Sequence, residues 1–253
     1  MSRKGGAVPR IAPPDLVYTY KHTDTDELRY SLRSVCANAD GLFGQVWIVG
    51  DLPDWAVGVR HLDARASQGD RYEDVRAKVA AVVKQPELSQ TFLLMNDDFY
   101  LCRPVTEWAA FHMGSTWALL RRLARNADPH RKWQRTIRAT AEWMQQQGHG
   151  DVLARQGHRP SLWDKTRLDQ ALSRYPKGRP LDVRGLYDMA GAGGVGVKVA
   201  NSKVSLDAQF PDKVTQLEVC PWLSSSDLSW RDGLVGKYVR DLFPEPCRYE
   251  REG

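Results

Sequence analysis

Short apolar runs alternate with amphipathic stretches through the first 105 residues of the chain. The runs are rich in β-branched and aromatic side chains, as buried strands are, and they cover residues 16–20, 45–49, 59–62 and 92–95. Between them, residues 24–38 and 72–84 carry apolar side chains at helical spacing. This alternation predicts an α/β fold in which a mostly parallel sheet is flanked by helices.

The pattern changes after residue 104. Residues 107–148 are predicted to be helical and are rich in Arg and Trp, and a further helix is predicted at 158–176. No internal repeat or low-complexity linker separates these segments. We therefore expect a flexible arm at 1–14 and one domain at 15–253. Its parts are a first half at about 15–105, a helical insertion at about 107–150 and a C-terminal portion at about 151–253.

Composition narrows the class of protein. A hydrophobic fraction of 42% and a charged fraction of 26% are ordinary for a globular domain. The four cysteines are scattered singly, which argues against a zinc site and a disulfide framework. The basic N-terminus lacks the apolar core of a signal peptide, and no run approaches the roughly 18 apolar residues of a membrane span. Reduced thiols and a cytoplasmic location are the expectation.

The charge balance favours an anionic ligand. The formal net charge is +5 and the pI is about 9.0, which suits a nucleotide, a nucleic acid or a membrane surface without choosing among them. The Arg/Trp-rich stretch at 115–143 is one candidate nucleic-acid surface. A solvated basic face with its Trp side chains packed inward is the favoured interpretation, and the stretch is also the best place for an anionic acceptor to dock.

The stretch FLLMNDDFYL, residues 92–101, places Asn96, Asp97 and Asp98 directly after a predicted strand. In α/β sheets, ligands bind at the carboxyl ends of the strands. Adjacent carboxylates suit Mg²⁺ or Mn²⁺, which take oxygen ligands from carboxylates, phosphates and water. One interpretation is a metal–diphosphate site. The alternative is that the two aspartates cap a turn and pair with neighbouring arginines.

Three segments carry a resemblance to a known family. DELRYSLRSV at 26–35, QVWIVGDLPDW at 45–55 and FLLMNDDFYLCRPV at 92–105 resemble conserved blocks of the Stealth sugar-phosphate transferases and related bacterial and phage glycosyltransferases. LVYTY at 16–20 resembles the opening strand, although Lys21 and His22 replace the usual Trp-Val-Asp continuation. His158-Arg159-Pro160 is similar to a later His-x-Pro block, and residues 224–250 are similar to the C-terminal portion.

The resemblance implies a GT-A-like fold and a DxD-type motif, here with Asn in first place. Asp98 would be the direct metal ligand, and Asp97 would orient the metal or the donor sugar beside Asn96. Residues implied or considered for donor binding are Tyr18 or Tyr20 on the nucleobase and Arg29, Arg76 and Lys78 on the diphosphate. The alternatives are core packing for the tyrosine, an ion pair with Asp26 for Arg29, and a solvated helix face for Arg76 and Lys78.

On the acceptor side, a neutral imidazole at His158 would complete a metal shell or take a proton from an acceptor hydroxyl. Asp164 and Asp169 are further candidate bases, although acids on helices are usually solvated. Gly191–Gly196 (GAGGVG) fits GxGxxG, but VKVANSKV follows it where the dinucleotide fingerprint needs a helix. We therefore reject an NAD site and expect a loop near the substrate.

The leading hypothesis is a metal-dependent glycosyltransferase that uses Mn²⁺ or Mg²⁺ and a nucleotide-diphosphate sugar, with UDP favoured. Its acceptor is open among a modified DNA base, a virion or surface protein and a glycan. The runner-up is transfer of a sugar 1-phosphate from the same site. A hypothesis of another class is a non-catalytic nucleic-acid-binding module.

Overall fold

A five-stranded sheet lies at the centre of the computed structural model, which describes residues 12–65, 71–125, 131–191 and 196–251. Within that part of the chain, the strands are β1 Asp15–Tyr20, β2 Val46–Gly50, β3 Arg60–Leu62, β4 Thr91–Met95, β5 Phe99–Leu101, β6 Phe111–His112, β7 Ser161–Asp164, β8 Val197–Lys198 and β9 Trp222–Ser224. The helices are α1 Glu27–Asn38, α2 Arg71–Val82, α3 Thr116–Ala124, α4 Arg131–Gln146, α5 Lys165–Arg174, α6 Tyr187–Ala190, α7 Phe210–Gln216, α8 Asp227–Arg231 and α9 Leu234–Leu242. Most of the predicted arm at 1–14, residues 126–130 of the Arg/Trp-rich stretch and residues 192–195 of the Gly-rich stretch lie outside the described residues.

The central sheet has the order β3-β2-β1-β4-β7. The first four strands are parallel and β7 is antiparallel to β4. On one face, Val17 and Leu94 belong to a buried cluster with side chains of α2, α4 and α5. On the other, Leu16 and Leu93 join a cluster with α1, β5 and β9. The predicted α/β class, with a mostly parallel sheet flanked by helices, is confirmed.

Two predicted helical stretches contain short strands. The helix predicted at 158–176 begins as the strand β7, which pairs with β4 and continues directly into α5. Leu162 joins the cluster on one face of the sheet and Trp163 the cluster on the other, the two-residue alternation of a strand. The stretch at 107–148 likewise opens with β6 before α3 and α4.

The strand order reverses beside β1, because β2 follows it on one side and β4 lies on the other. Such a reversal opens a crevice outside the carboxyl ends of the strands. Lys78 of α2 is buried at this edge, where its Nζ donates to the Tyr20 carbonyl at 2.8 Å and pairs with Asp74 at 2.6 Å. Gly50 makes room with a φ of +114°, since a Cβ there would collide with the Tyr20 carbonyl and the Lys78 side chain.

A buried ion pair fastens the C-terminal segment to α1. Arg33 donates from Nε and Nη2 to the two carboxylate oxygens of Glu250 at 2.7 and 2.8 Å, and its Nη1 donates to the carbonyls of Phe243 and Pro244. Arg29 also reaches Glu250, at 2.9 Å. None of the described helices is long and apolar enough to cross a membrane.

Replacing Glu250 by Gln is expected to lower the free energy of unfolding by about 3 kcal/mol, because it leaves the Arg33 charge buried without its partner. The Arg33 and Glu250 side chains are only 9% and 1% exposed. Urea denaturation measures the effect. As a control, Glu218→Gln removes the partner of Arg103 in a pair that is 75% and 52% exposed, and should cost less than about 1 kcal/mol. Equal losses in the two variants would contradict the assignment.

Candidate functional site

The segment Asn96-Asp97-Asp98 turns between β4 and β5, at the edge where the strand order reverses. Because β5 pairs antiparallel with β9, Phe99 lies opposite Ser224 and the C-terminal portion is brought against the acidic pair. His158 reaches the same place from the loop before β7. Residues separated widely along the chain therefore converge on one crevice.

Asp98 is the best-held carboxylate of the site. Its Oδ2 accepts a hydrogen bond from the Ser224 hydroxyl at 2.7 Å, and His158 Nδ1 and Lys203 Nζ lie 3.7 and 3.9 Å from that oxygen. Its Oδ1 is buried with no hydrogen-bond partner. Burial opposes ionisation, but His158, Lys203 and the Ser224 hydroxyl outweigh it and lower the pKa of Asp98 to about 2. Asp98 thus offers a permanently charged carboxylate with one uncommitted oxygen.

Asp97 lies close to two other acidic side chains, Asp98 and Glu27. Burial, followed by the neighbouring charges of Asp98 and Glu27, raises the pKa of Asp97 to about 7. Glu27, buried in the first turn of α1, accepts hydrogen bonds from Ser225 at 2.5 Å and Thr25 at 3.0 Å, and burial raises its pKa as well. A cation placed among these acids would relieve the repulsion that keeps Asp97 partly protonated.

The side chains of the site fit a metal ion whose coordination a substrate would complete. Among the described residues, no group of three His, Cys, Asp or Glu side chains is arranged to hold an ion by itself. Mg²⁺, however, is usually held by one or two carboxylates together with substrate phosphates and water. The unpartnered Oδ1 of Asp98 and the perturbed Asp97 supply those carboxylates. The Oδ1 of Asn96, the other oxygen of the motif, already accepts a hydrogen bond from Arg184 at 2.8 Å.

His158 has an enforced backbone and a defined hydrogen-bond partner. Its φ is +51°, and among the described residues it is the only non-glycine residue with a positive φ. Its Nδ1 lies 3.3 Å from the Ser224 oxygen, whose proton goes to Asp98. Nδ1 must then be the protonated nitrogen, which leaves the Nε2 lone pair as acceptor. Burial, only partly offset by Asp98, lowers the pKa of His158, so the imidazole is neutral at neutral pH.

A cavity of about 230 Å³ opens beside these groups. Asn96 and His158 form part of its wall, together with side chains of α2 and α4 and of the segment 181–184. Arg184, which holds Asn96, also lies over the Phe99 ring at 5.1 Å from its centroid. The crevice at the acidic pair therefore has beside it a partly open cavity large enough for a small ring.

The structure brings together four of the predicted site residues, Asn96, Asp97, Asp98 and His158, and places the others elsewhere. Tyr18 is fully buried in the core, with its hydroxyl 3.1 Å from Ser31, and presents no ring face to a nucleobase. Tyr20, the other aromatic considered, is also buried.

The basic residues considered for the diphosphate have structural contacts. Arg29 pairs with Glu250, rather than with Asp26, and lies over the Trp55 ring. Arg76 lies over the Tyr175 ring at 5.7 Å. Lys78 is occupied by Asp74 and the Tyr20 carbonyl, at the edge of the sheet but buried beneath it.

The two other candidate bases, Asp164 and Asp169, lie away from the crevice. Asp164 pairs with Thr91, at the amino end of β4, and caps α5 by accepting from the Arg167 amide at 2.9 Å. Asp169 pairs with Lys84. Of the Arg/Trp-rich stretch, Trp143 is in the core and Trp133 lines the cavity.

Ser224, Lys203, Arg184 and Glu27 complete the site and were not singled out from the sequence. Ser224 does begin the SSSDLSW segment within the C-terminal resemblance, and Glu27 lies in the first of the matching segments. Neither position marks an active-site role until the β5–β9 pairing is known. Lys203 and Arg184 have no distinguishing signal in the sequence.

In comparisons with known proteins, no family model and no curated protein sequence matched the chain.

We expect Asp97→Asn to change how stability depends on pH in metal-free protein. An acid whose pKa rises from 3.8 to about 7 on folding stabilises the fold below the lower value and loses that contribution as pH rises through the higher one. Relative to the parent protein, the variant should therefore gain stability as pH rises from about 4 to about 7. Glu27 and His158 titrate in both proteins, so urea unfolding of the two in EDTA isolates Asp97. Parallel pH profiles would show that its pKa is not raised.

Proposed function

We propose that the protein is a metal-dependent glycosyltransferase that takes its sugar from a nucleotide diphosphate. The observation that supports this most is the ionised Asp98, whose Oδ1 is uncommitted and whose Oδ2 is linked through Ser224 to a neutral His158. This acid lies at the reversal of strand order, where α/β sheets bind ligands. A GT-A-like fold, implied by the resemblance, is part of the proposal.

Asp97 and Asp98 would hold Mn²⁺ or Mg²⁺, which would supply positive charge against the diphosphate as it leaves. Lys203 and Arg184 add fixed positive charge on the same side of the crevice. His158 Nε2 accepts the proton of the acceptor hydroxyl while that oxygen bonds to the anomeric carbon. The bond from the anomeric carbon to the diphosphate oxygen breaks, and its electron pair leaves on the diphosphate. Ser224 and Asp98 orient the imidazole throughout.

Transfer of a sugar 1-phosphate is the second candidate. Lys203 and Arg184 favour it, because cations beside a diphosphate stabilise attack at phosphorus as well as departure of the nucleotide. In that reaction the acceptor oxygen bonds to phosphorus and the bond to the nucleoside phosphate breaks. Mass spectrometry of the product separates the two candidates, since an acceptor that gains a hexose contains no added phosphorus.

Asp98→Asn is expected to lower release of free nucleotide from a panel of nucleotide sugars with Mn²⁺ by at least about 100-fold, because the charge that faces the metal is lost. Asp40→Asn is the matched control, since Asp40 forms an exposed pair with Arg248. Undiminished release by Asp98→Asn would overturn the site. If no nucleotide sugar turns over and DNA binding falls steeply with salt but survives Asp98→Asn, the nucleic-acid-binding alternative is supported instead.

Ser224→Ala is expected to reduce turnover less than His158→Ala does, and to alter its pH dependence. The first removes only the group that fixes the imidazole tautomer, whereas the second removes a general base worth about 10²–10⁴-fold. Rate–pH profiles measure both. Ser224→Thr keeps the hydroxyl and should recover the parent profile. A profile unchanged in Ser224→Ala would contradict the link between Ser224 and the base.

A further inference from the structure

The cavity borders the motif through Asn96. Asn96 lines the cavity, whereas Asp97 is buried beside Asp98 and Glu27, whose charges add to the effect of burial in raising its pKa. None of those three acids forms part of the wall. The motif therefore contributes its Asn to the cavity and its two acids to the candidate metal site.

His158 links the cavity to the acidic pair, because it lines the cavity and is connected through Ser224 to Asp98. A general base must lie within hydrogen-bonding reach of the proton that it removes. In a transfer reaction that proton belongs to the acceptor hydroxyl. An acceptor seated in the cavity would therefore have its hydroxyl beside His158.

The wall of the cavity combines aromatic faces with buried hydrogen-bonding groups. Tyr72 and Trp133 supply the aromatic surface, and Phe99 lies in the wall beneath Arg184. Gln156 is 5% exposed, and its Nε2 donates to the Asp182 carboxylate at 2.6 Å while its Oε1 is buried without a hydrogen-bond partner. Burial raises the pKa of Asp182. An amide oxygen in this position lacks a donor.

We propose that this cavity is the acceptor subsite and that it takes one saturated, hydroxyl-bearing ring, a pyranose at the end of the acceptor. The inference rests on the proposed function. A pyranose stacks its C–H faces on aromatic side chains while its rim hydroxyls donate to groups such as Gln156 Oε1. A ring with no hydroxyl or N–H at its rim would leave Gln156 Oε1 unpaired, at a cost in affinity. At about 230 Å³ the cavity is smaller than the roughly 300–1,000 Å³ of pockets for drug-sized ligands, which favours a single ring.

Saturation-transfer NMR with methyl pyranosides, in the presence of UDP and Mg²⁺, tests the subsite directly. Val75→Phe fills the cavity from α2, and it should weaken pyranoside binding at least tenfold. Ala77→Phe is the matched control, because Ala77 is on the same helix but is not part of the wall. If Val75→Phe does not fold, Trp133→Ala should weaken binding and Trp133→Phe should restore it.

Competing probes decide the ligand class. 5-Hydroxymethyl-2′-deoxyuridine represents a modified DNA base, and N-acetyltyrosinamide represents a protein acceptor. Preferential binding of either one, binding of no probe, or pyranoside binding that survives Val75→Phe overturns the proposal. Failure of the proposed function is a separate result, because it shows as no nucleotide release from any nucleotide sugar by the parent protein, whether or not pyranosides bind.

Discussion

A carboxylate that remains ionised when buried needs hydrogen bonds or positive charge around it. For Asp98 these come from residues beyond position 150. Ser224, His158 and Lys203 surround its Oδ2. Removing the partners of a buried charge costs several kcal/mol, so the acid and its surroundings have to form together. The turn after β4, the β5–β9 pair and the loop before β7 are therefore tied to one another through this single side chain.

The strands and the acidic motif were predictable because their signals are local. Apolar runs located β1 to β4, and the position of Asp97 and Asp98 after a run placed them at the ligand-binding edge of the sheet. His158 was singled out from the sequence, but Ser224 was not predictable as a partner of Asp98, because its position depends on a pairing between strands of three residues each. In β7 the alternation lasts four residues, which is too short to distinguish a strand from the start of a helix. The sequence likewise does not show which basic residues are available to a ligand, because tertiary contacts decide that. Arg29 and Lys78 carry the right charge for a diphosphate, but tertiary contacts commit both to Glu250, Asp74 and the backbone.

The backbone of His158 is held by its neighbour. A non-glycine residue with positive φ costs about 1–3 kcal/mol and persists only where its surroundings impose it. Arg159 is 1% exposed, and its Nη1 donates to the carbonyls of Gly157 and Ala200 and to the Ser202 hydroxyl. Its guanidinium occupies the space where a side chain at residue 157 would lie. This buried group fixes the loop on both sides of His158, so the imidazole meets Ser224 without a search over backbone conformations.

The long separation between the partners also bears on how the crevice forms. Asp98 and Ser224 are 126 positions apart, and Arg33 and Glu250 are 217 apart. Contacts between distant positions form slowly, because closing a long loop costs chain entropy before the contacts that it brings together contribute any stability. The sheet core of β1, β2 and β4 needs far shorter loops and can collapse first. We therefore expect a folding intermediate in which the sheet is formed while Asp97 and Asp98 still face water, so that the sheet is complete before Ser224, His158 and Lys203 surround Asp98.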